Sequence, residues 1–478
     1  MQRPLFAATE ASTRRHFLGQ TACGFGALAA AGLLGQESRG QDDWPLGGVH
    51  HAARAKRIIF LFMQGGVSQV DSFDRKSVLE QRDGEQVNFN DARQLANTGM
   101  GQGLQRLMKG PWEFRSYGES GLEVSDLFAH MGRHADDLCV VRSLHTEGVA
   151  HGPATLFLHC GSTNTIRPSM GSWVLYGLGP DNQNLPGFVS ISPSVGNGGA
   201  RNYGSAFLPA AVQGTAIGRP GSNGRDLMIR HLNDERSREQ QRRQLDLLET
   251  LNHQQRERIG GSSELDAVLD SYELAWRMQE AAPEVFDLAD ESAETLTAYG
   301  IDDPVTEGYG RRCLLARRLC EAGVRFIQVN YGDNSANPAW DQHSDLPKHE
   351  NHARACDRPI AALLNDLKQR GLLEDTIVWW GSEFGRTPYA QKNGTGRDHN
   401  PGGFTVCLAG GGLKPGFVYG STDEFGHQAI ENKVHMHDLH ASLLHLLGID
   451  HERLTYRYAG RDFRLTDIHG RVVHDLFA

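Results

Sequence analysis

The sequence predicts an α/β fold built on a mostly parallel central sheet flanked by helices. Three observations predict it. Runs that are almost wholly apolar recur along the chain: "RIIFLFM" (57–63), "LCVVRSL" (138–144), "FVSI" (188–191), "VRFIQVNY" (324–331), "TIVWWGS" (376–382) and "FTVCLAG" (404–410). A strand covered on both faces reads as such a run, whereas a half-exposed strand alternates. Helical patterns lie between some of these runs. Helix followed by buried strand, repeated, is the signature of a parallel sheet with crossover helices.

The elements follow in order. "YGRRCLLARRLCEAG" (309–323) places Cys313, Ala316 and Cys320 on one face and ends at Gly323. "RPIAALLNDLKQRGLL" (358–373) behaves the same way and ends at Gly371. Glycine just past the last turn is a common helix stop. Residues 225–300 are charged and helical, with Leu245, Leu248 and Leu251 in "RSREQQRRQLDLLETLNHQQRERI", and read as an insertion packed over one edge of the sheet. Its basic run "RSREQQRR" reads as a solvated helix face. "HMHDLHASLLHLLGID" (435–450) is an amphipathic helix with Leu439, Leu443, Leu444 and Leu447 for the core. Its His435, His437 and His440 are expected at the surface or at the cap.

With 478 residues the chain can bury one large core or two ordinary ones. A net charge of -10 gives no reason to expect nucleic acid, whose binders present a basic patch. The stretch "STRRHFLGQTACGFGALAAAGLLG" pairs Arg14 and Arg15, follows them with Phe17 and Leu18, and continues into a mild apolar run. That run is too short and glycine-rich to span a membrane comfortably. The pattern is similar to a twin-arginine export signal over 1–35, with a polar linker over 36–55 and the main domain over 56–478. A periplasmic or otherwise exported protein is expected, touching a membrane only through the signal segment if it stays uncleaved. Cys23 lacks the apolar residue expected before a lipid-attachment cysteine. The other six cysteines form no C-x-x-C pair and read as small core residues. Cys313 and Cys320 lie two helical turns apart, too far to bridge.

In open parallel sheets ligands bind beyond the carboxyl ends of the strands. Polar clusters stand at four of those ends. "QGGVSQVDSFD" comes after "RIIFLFM" with Gln64, Asp71 and Asp74. "HTEGVAHG" comes after "LCVVRSL" with His145, Thr146, Glu147 and His151. Asp341, His343, Asp345, His349 and His352 come after "VRFIQVNY"; Glu383, Arg386, Asp398 and His399 come after "TIVWWGS". Imidazole and carboxylate together suit Zn, Mn or Fe, with Mg or Ca where oxygen dominates. Asp341, His343, Glu383, Asp398, His399 and Asp71 are therefore the candidate ligands of a divalent metal.

The order of these pieces resembles the alkaline phosphatase and sulfatase superfamily. "QGGVSQVDSFD", "WDQHS", "EFGRTP", "GRDHNPGGF" and "LAGGGLKPGFVYGSTD" are similar, more closely, to a large exported, sulfatase-like bacterial family of uncharacterised function. The resemblance runs from about residue 57 to the C-terminus and implies an alkaline-phosphatase-like fold with a helical insertion. It implies one metal site at Asp341, His343 and His399. It also marks departures: Gln64 where a metal Asp is usual, Glu383 and Phe384 where an Asp-His pair is usual, and His151 at the helix start where the nucleophile is usual. Ser143 and Thr146 are the nearest hydroxyls. The implied activity is hydrolysis of sulfate or phosphate esters, with an anionic small molecule or glycan ester as partner. His151 or His145 would move protons, with Arg386 assisting, and Arg397, Lys348 and Thr146 would hold the anion. The competing reading is a non-catalytic anion-, glycan- or protein-binding member of the same fold.

Overall fold

The computed structural model describes residues 49–89, 104–228, 236–259, 263–335, 337–391 and 394–478. The expected signal segment and most of the linker lie outside the described residues. No helix among the described residues is long and apolar enough to cross a membrane.

The main sheet contains β1 (Arg57–Met63), β2 (Leu138–His145), β3 (Phe188–Ile191), β4 (Thr215–Ile217), β5 (Phe326–Tyr331), β6 (Thr376–Gly381), β9 (Phe404–Ala409), β10 (Phe417–Tyr419) and β11 (Val434–His435). β7 (Gly385–Ala390) and β8 (Arg397–Asn400) form a separate antiparallel hairpin between β6 and β9. The spatial order is β10-β2-β9-β6-β1-β5-β3-β4, with β11 paired to β2. Every pairing in the main sheet is parallel except those of β9 with β6 and with β2. Each of the apolar runs read from the sequence is a strand.

β1 shows why the runs are continuous. Ile59, Leu61 and Met63 enter one core, together with helices α5 (Glu307–Glu321) and α6 (Lys348–Gln369). Ile58, Phe60 and Phe62 enter a second core on the opposite face, with α1 (His151–Cys160), α2 (Met170–Leu178) and α7 (Met436–Leu446). Alternate side chains point to opposite faces, and both faces are covered, so every position after Arg57 is apolar.

Two expectations are corrected. α6 begins at Lys348, ahead of the expected 358, so His349 and His352 are helical rather than on a loop. Pro359 sits inside that helix; it removes one backbone bond, but burial of His349, Ala353, Cys356 and Ile360 continues the apolar face through it. His437 and His440 are buried at 2% and 0% exposure, not at the surface. Only His435 caps, accepting the His437 N–H while Asp438 accepts the His435 N–H. In the insertion, α3 (Arg238–Ile259) packs along α4 (Ser263–Phe286), and α4 sends Met278 and Ala282 into the first core. Leu251 of α3 remains 51% exposed. The six described cysteines are free and buried.

The carboxyl ends of β1, β2, β5 and β6 share one edge of the sheet. β9 runs the other way, so its first residue, Phe404, pairs there with Leu144. The chain leaves β6 at this edge, makes the β7–β8 hairpin, and re-enters the sheet as β9.

Candidate metal centre

Four side chains from three segments converge at that edge. Asp341 and His343 lie on the loop after β5, His399 on β8, and His151 at the first position of α1. One ligand atom from each falls within 4.8 Å of all the others. Asp341 Oδ1 is the hub: it lies 2.8 Å from His343 Nε2 and 3.2 Å from both His399 Nε2 and His151 Nε2. His343 Nε2 and His399 Nε2 are 3.0 Å apart.

The far nitrogens of the rings decide what the near ones carry. His399 Nδ1 faces the Val149 carbonyl at 2.9 Å, and a carbonyl can only accept, so this nitrogen holds the proton. Burial drives the His399 pKa down to about 3, ahead of the opposing pull of Asp341, and the ring is neutral. Its Nε2 is thus a bare lone pair, aimed at a carboxylate oxygen and at another imidazole nitrogen. His151 Nδ1 lies 2.6 Å from Glu383 Oε1, which makes it a donor too. His151 Nε2 is buried and faces Asp341 Oδ1. Burial opposes charge on His151, but the bonds to Asp341 and Glu383 together outweigh it and raise the pKa. His343 Nδ1 is 3.4 Å from Asp398 Oδ1. The His399 lone pair facing a carboxylate oxygen repels it unless a cation lies between them. These residues fit a metal ion, and the outer nitrogens of His151 and His399 are held by the kind of groups that orient metal-binding imidazoles.

Asp341 is held far below the usual carboxylate range. Burial works the other way, but the neighbouring His151, His343 and His399 rings and the charge of Arg386 overcome it. Arg386 Nη2 lies 2.8 Å from Asp341 Oδ1.

The remaining candidates are placed elsewhere or in other roles. Glu383, expected as a ligand, meets the outer nitrogen of His151 and the Gly65 N–H, so it stands behind the cluster rather than in it. Asp398 lies 3.4 Å from His343 Nδ1 without bonding it, and accepts the His399 backbone N–H at 2.9 Å. Asp71 is away from the cluster, in a two-point ion pair with Arg397 at 2.7 and 3.0 Å. Arg397 also donates to the Thr387 and Met108 carbonyls. Arg386 donates to the carbonyls of Gly65, Gly66, Trp340 and Arg397 as well as to Asp341. Both guanidiniums are wholly buried, so neither is a free arm for substrate. Lys348 is exposed and pairs with Asp345 at 3.4 Å. The His145 ring packs against His435, 5.0 Å away, rather than against the cluster. Thr146 turns its hydroxyl to the Glu147 carbonyl, and the Ser143 hydroxyl donates to Asn432. Phe384 lies against His399 and His151, with ring centroids 4.4 and 5.0 Å away.

Two features were not read from the sequence. One is the Val149 carbonyl, a backbone group with no sequence signal. The other is the start of α1. That helix has no side-chain cap, and neither the His151 N–H nor the Gly152 N–H has an acceptor among the described residues. The space beside Gly152 is open. An anion would be favoured there by free amides and by the helix dipole.

Residues 55–477 match the model of the family described as "Protein of unknown function (DUF1501)". No curated protein matches the chain. Among solved structures, the chain is similar to the PsFucS1 sulfatase from Pseudoalteromonas sp., at 10% identity over 89% of this chain and 72% of that one, with a TM-score of 0.38. It is similar to the lipoteichoic acid synthase LtaP from Listeria monocytogenes, at 9% identity over 88% and 78%, with a TM-score of 0.35. It is similar to a variant of TAB5 alkaline phosphatase, at 11% identity over 83% and 98%, with a TM-score of 0.33. At such scores these likenesses carry no functional weight, and the chemistry rests on the geometry of the site.

Proposed function

The chain belongs to the DUF1501 family, and we propose that it is an exported, metal-dependent hydrolase of sulfate or phosphate esters, with an anionic small molecule or glycan ester as substrate. The observation that carries this reading is the bare Nε2 of His399, fixed by Val149, facing Asp341 and His343 at 3.2 and 3.0 Å. His151, His343, His399 and Asp341 would hold the ion. Three nitrogens and one oxygen suit Zn or Mn and disfavour Ca and Mg, which take oxygen donors.

A bound divalent cation supplies Lewis acidity, polarising an ester oxygen and acidifying water. The chain's own groups do the rest. Glu383 and Val149 set the orientation of the His151 and His399 imidazoles. Arg386 balances the charge of Asp341 from within the core. The free amides of His151 and Gly152 would donate to an oxygen of the tetrahedral group, a role that the fully bonded arginines cannot fill. With no hydroxyl side chain of Ser143 or Thr146 turned to the cluster, water is the nucleophile in this scheme.

The lack of a Ser143 or Thr146 hydroxyl turned to the cluster favours a second reading, a site that binds an anionic ligand without turnover. Metal content of the folded protein by mass spectrometry separates the cases, with Asp341→Ala and His399→Ala in parallel. Stoichiometric metal in the parent, lost in both variants, followed by turnover in a screen of sulfate and phosphate esters, supports the hydrolase. Metal without turnover supports the binder. A metal-free folded parent sinks both metal-based readings.

A further inference from the structure

The "QGG" turn after β1 contributes no ligand, yet it touches Glu383, Arg386, Phe384 and the loop that carries Asp341. Gly65 donates its N–H to both oxygens of Glu383, at 3.0 Å each, and Glu383 holds His151. The Gly65 carbonyl accepts from Arg386, which pairs with Asp341. Its Cα faces the loop that carries Asp341 and His343: a Cβ there would stand 2.7 Å from the Trp340 nitrogen and 2.8 Å from the Asp341 nitrogen. Those atoms are backbone and cannot rotate away. Its φ of +117° also lies where side chains are rarely tolerated. Gly66, with φ +78°, gives its carbonyl to Arg386 Nε at 2.9 Å, and a Cβ on it would meet the Phe384 ring at 2.9 Å. That ring lies against His399 and His151.

We propose that Gly65 and Gly66 are positioning residues that set the metal-binding geometry through Glu383, Arg386 and Phe384, without touching metal or substrate. The proposal rests on the reading of the site as a metal centre. It explains a motif that the ligand set leaves unused. A side chain at Gly65 pushes the Asp341 loop outward and breaks the Glu383–His151 alignment, so affinity falls while every ligand remains in the sequence. Removal of an orienting group behind a metal-binding imidazole weakens binding by about 10- to 100-fold.

The test uses the full chain as Gly65→Ala, Gly66→Ala, Glu383→Gln and the double variant Gly65→Ala/Glu383→Gln. Zn²⁺ is titrated into each metal-free protein, and circular dichroism and melting report folding. The expected result is a folded Gly65→Ala protein with Zn²⁺ affinity reduced about 10- to 100-fold, and a much smaller further loss in the Glu383→Gln background. Coupling of that kind shows the two acting as one unit. A purely structural glycine would lower the melting temperature and leave the affinity of the folded protein unchanged, which overturns the proposal, as does simple additivity. If Gly65→Ala does not fold, Gly66→Ala decides, because its neighbour is a side chain that can shift; unchanged affinity there overturns the proposal. A parent that binds no Zn²⁺ removes the metal reading. The positioning role is then judged by the His151 Nδ1–H resonance: present in the parent and lost in the glycine variant is the expected result, and present in both overturns it.

Discussion

Asp71 and Arg397 are the sharpest test of what this structure says about charge. The sequence offers Asp71 as a ligand and Arg397 as an anion-binding arm. The structure joins them in a two-point pair with side-chain exposures of 1% and 0%. Asp71→Ala leaves Arg397 charged and buried, with two backbone carbonyls but no carboxylate. Breaking such a pair costs about 3–5 kcal/mol. Unfolding entropy near 2.1 cal/mol/K per residue gives about 0.9 kcal/mol/K over the roughly 420 residues of the domain. The expected fall in Tm is therefore about 3–6 °C. Differential scanning calorimetry measures it, and metal analysis of the same sample measures the site. The folded variant should keep its metal. Asp71→Leu combined with Arg397→Met should recover much of the lost Tm, because two matched apolar groups replace a pair whose burial is itself costly. An Asp71→Ala protein that melts like the parent but loses its metal would refute this reasoning and make Asp71 a ligand.

The same geometry sets other expected outcomes. His151→Ala and His399→Ala should each weaken Zn²⁺ or Mn²⁺ binding by more than about 100-fold, beyond the effect of losing an orienting group, read by titration of the metal-free protein. Stripping the metal with a chelator should lower Tm by about 3 °C relative to protein held at 100 times its dissociation constant, since such binding stabilises by about 2.7 kcal/mol; equal melting curves would deny a site. Mg²⁺ and Ca²⁺ at equal concentration should not restore the difference. Asp357 is buried and receives the His130 and Met131 N–H groups at 2.7 and 2.8 Å, and burial pushes its pKa up to about 7 against those bonds. The folded protein then holds a proton that the unfolded chain has released above about pH 4. This contribution is full below that pH and is lost as pH rises through 7. The Tm of the parent relative to Asp357→Asn should accordingly decline between pH 5 and 8; a constant difference over that range would remove the argument.

Much of the fold was legible because burial on both faces leaves a plain mark. "RIIFLFM" and "TIVWWGS" admit few readings other than central strands. The reversed direction of β9 was not legible, because "FTVCLAG" packs equally well either way and only the length of chain spent on the β7–β8 hairpin sets it. The four polar clusters at strand ends pointed to this edge, and Asp341, His343, His399 and His151 meet there. What the sequence could not separate was binding from orienting. Glu383 and Asp398 stand one imidazole further out than expected, a difference of a few ångströms that residue type does not encode. Arg386 and Arg397 mislead for a related reason: on a glycine-rich loop they look solvent-facing, but the hairpin folds inward and the core's own carbonyls take their donors.

The four converging groups are not equally covered. The His343 side chain is 25% exposed, against 10% for His151, 8% for His399 and 4% for Asp341. His343 is also carried by a stretch without helix or strand, tied to its neighbours by the Leu346 N–H to Thr395 and the Arg397 N–H to Gln342. An ion held here would depart by its most accessible bond first, so one swinging imidazole would govern how long it stays. Exchange would then run at the pace of that swing, whatever the concentration of the competitor outside. A site made mostly of core would behave in time like a vessel with a single door.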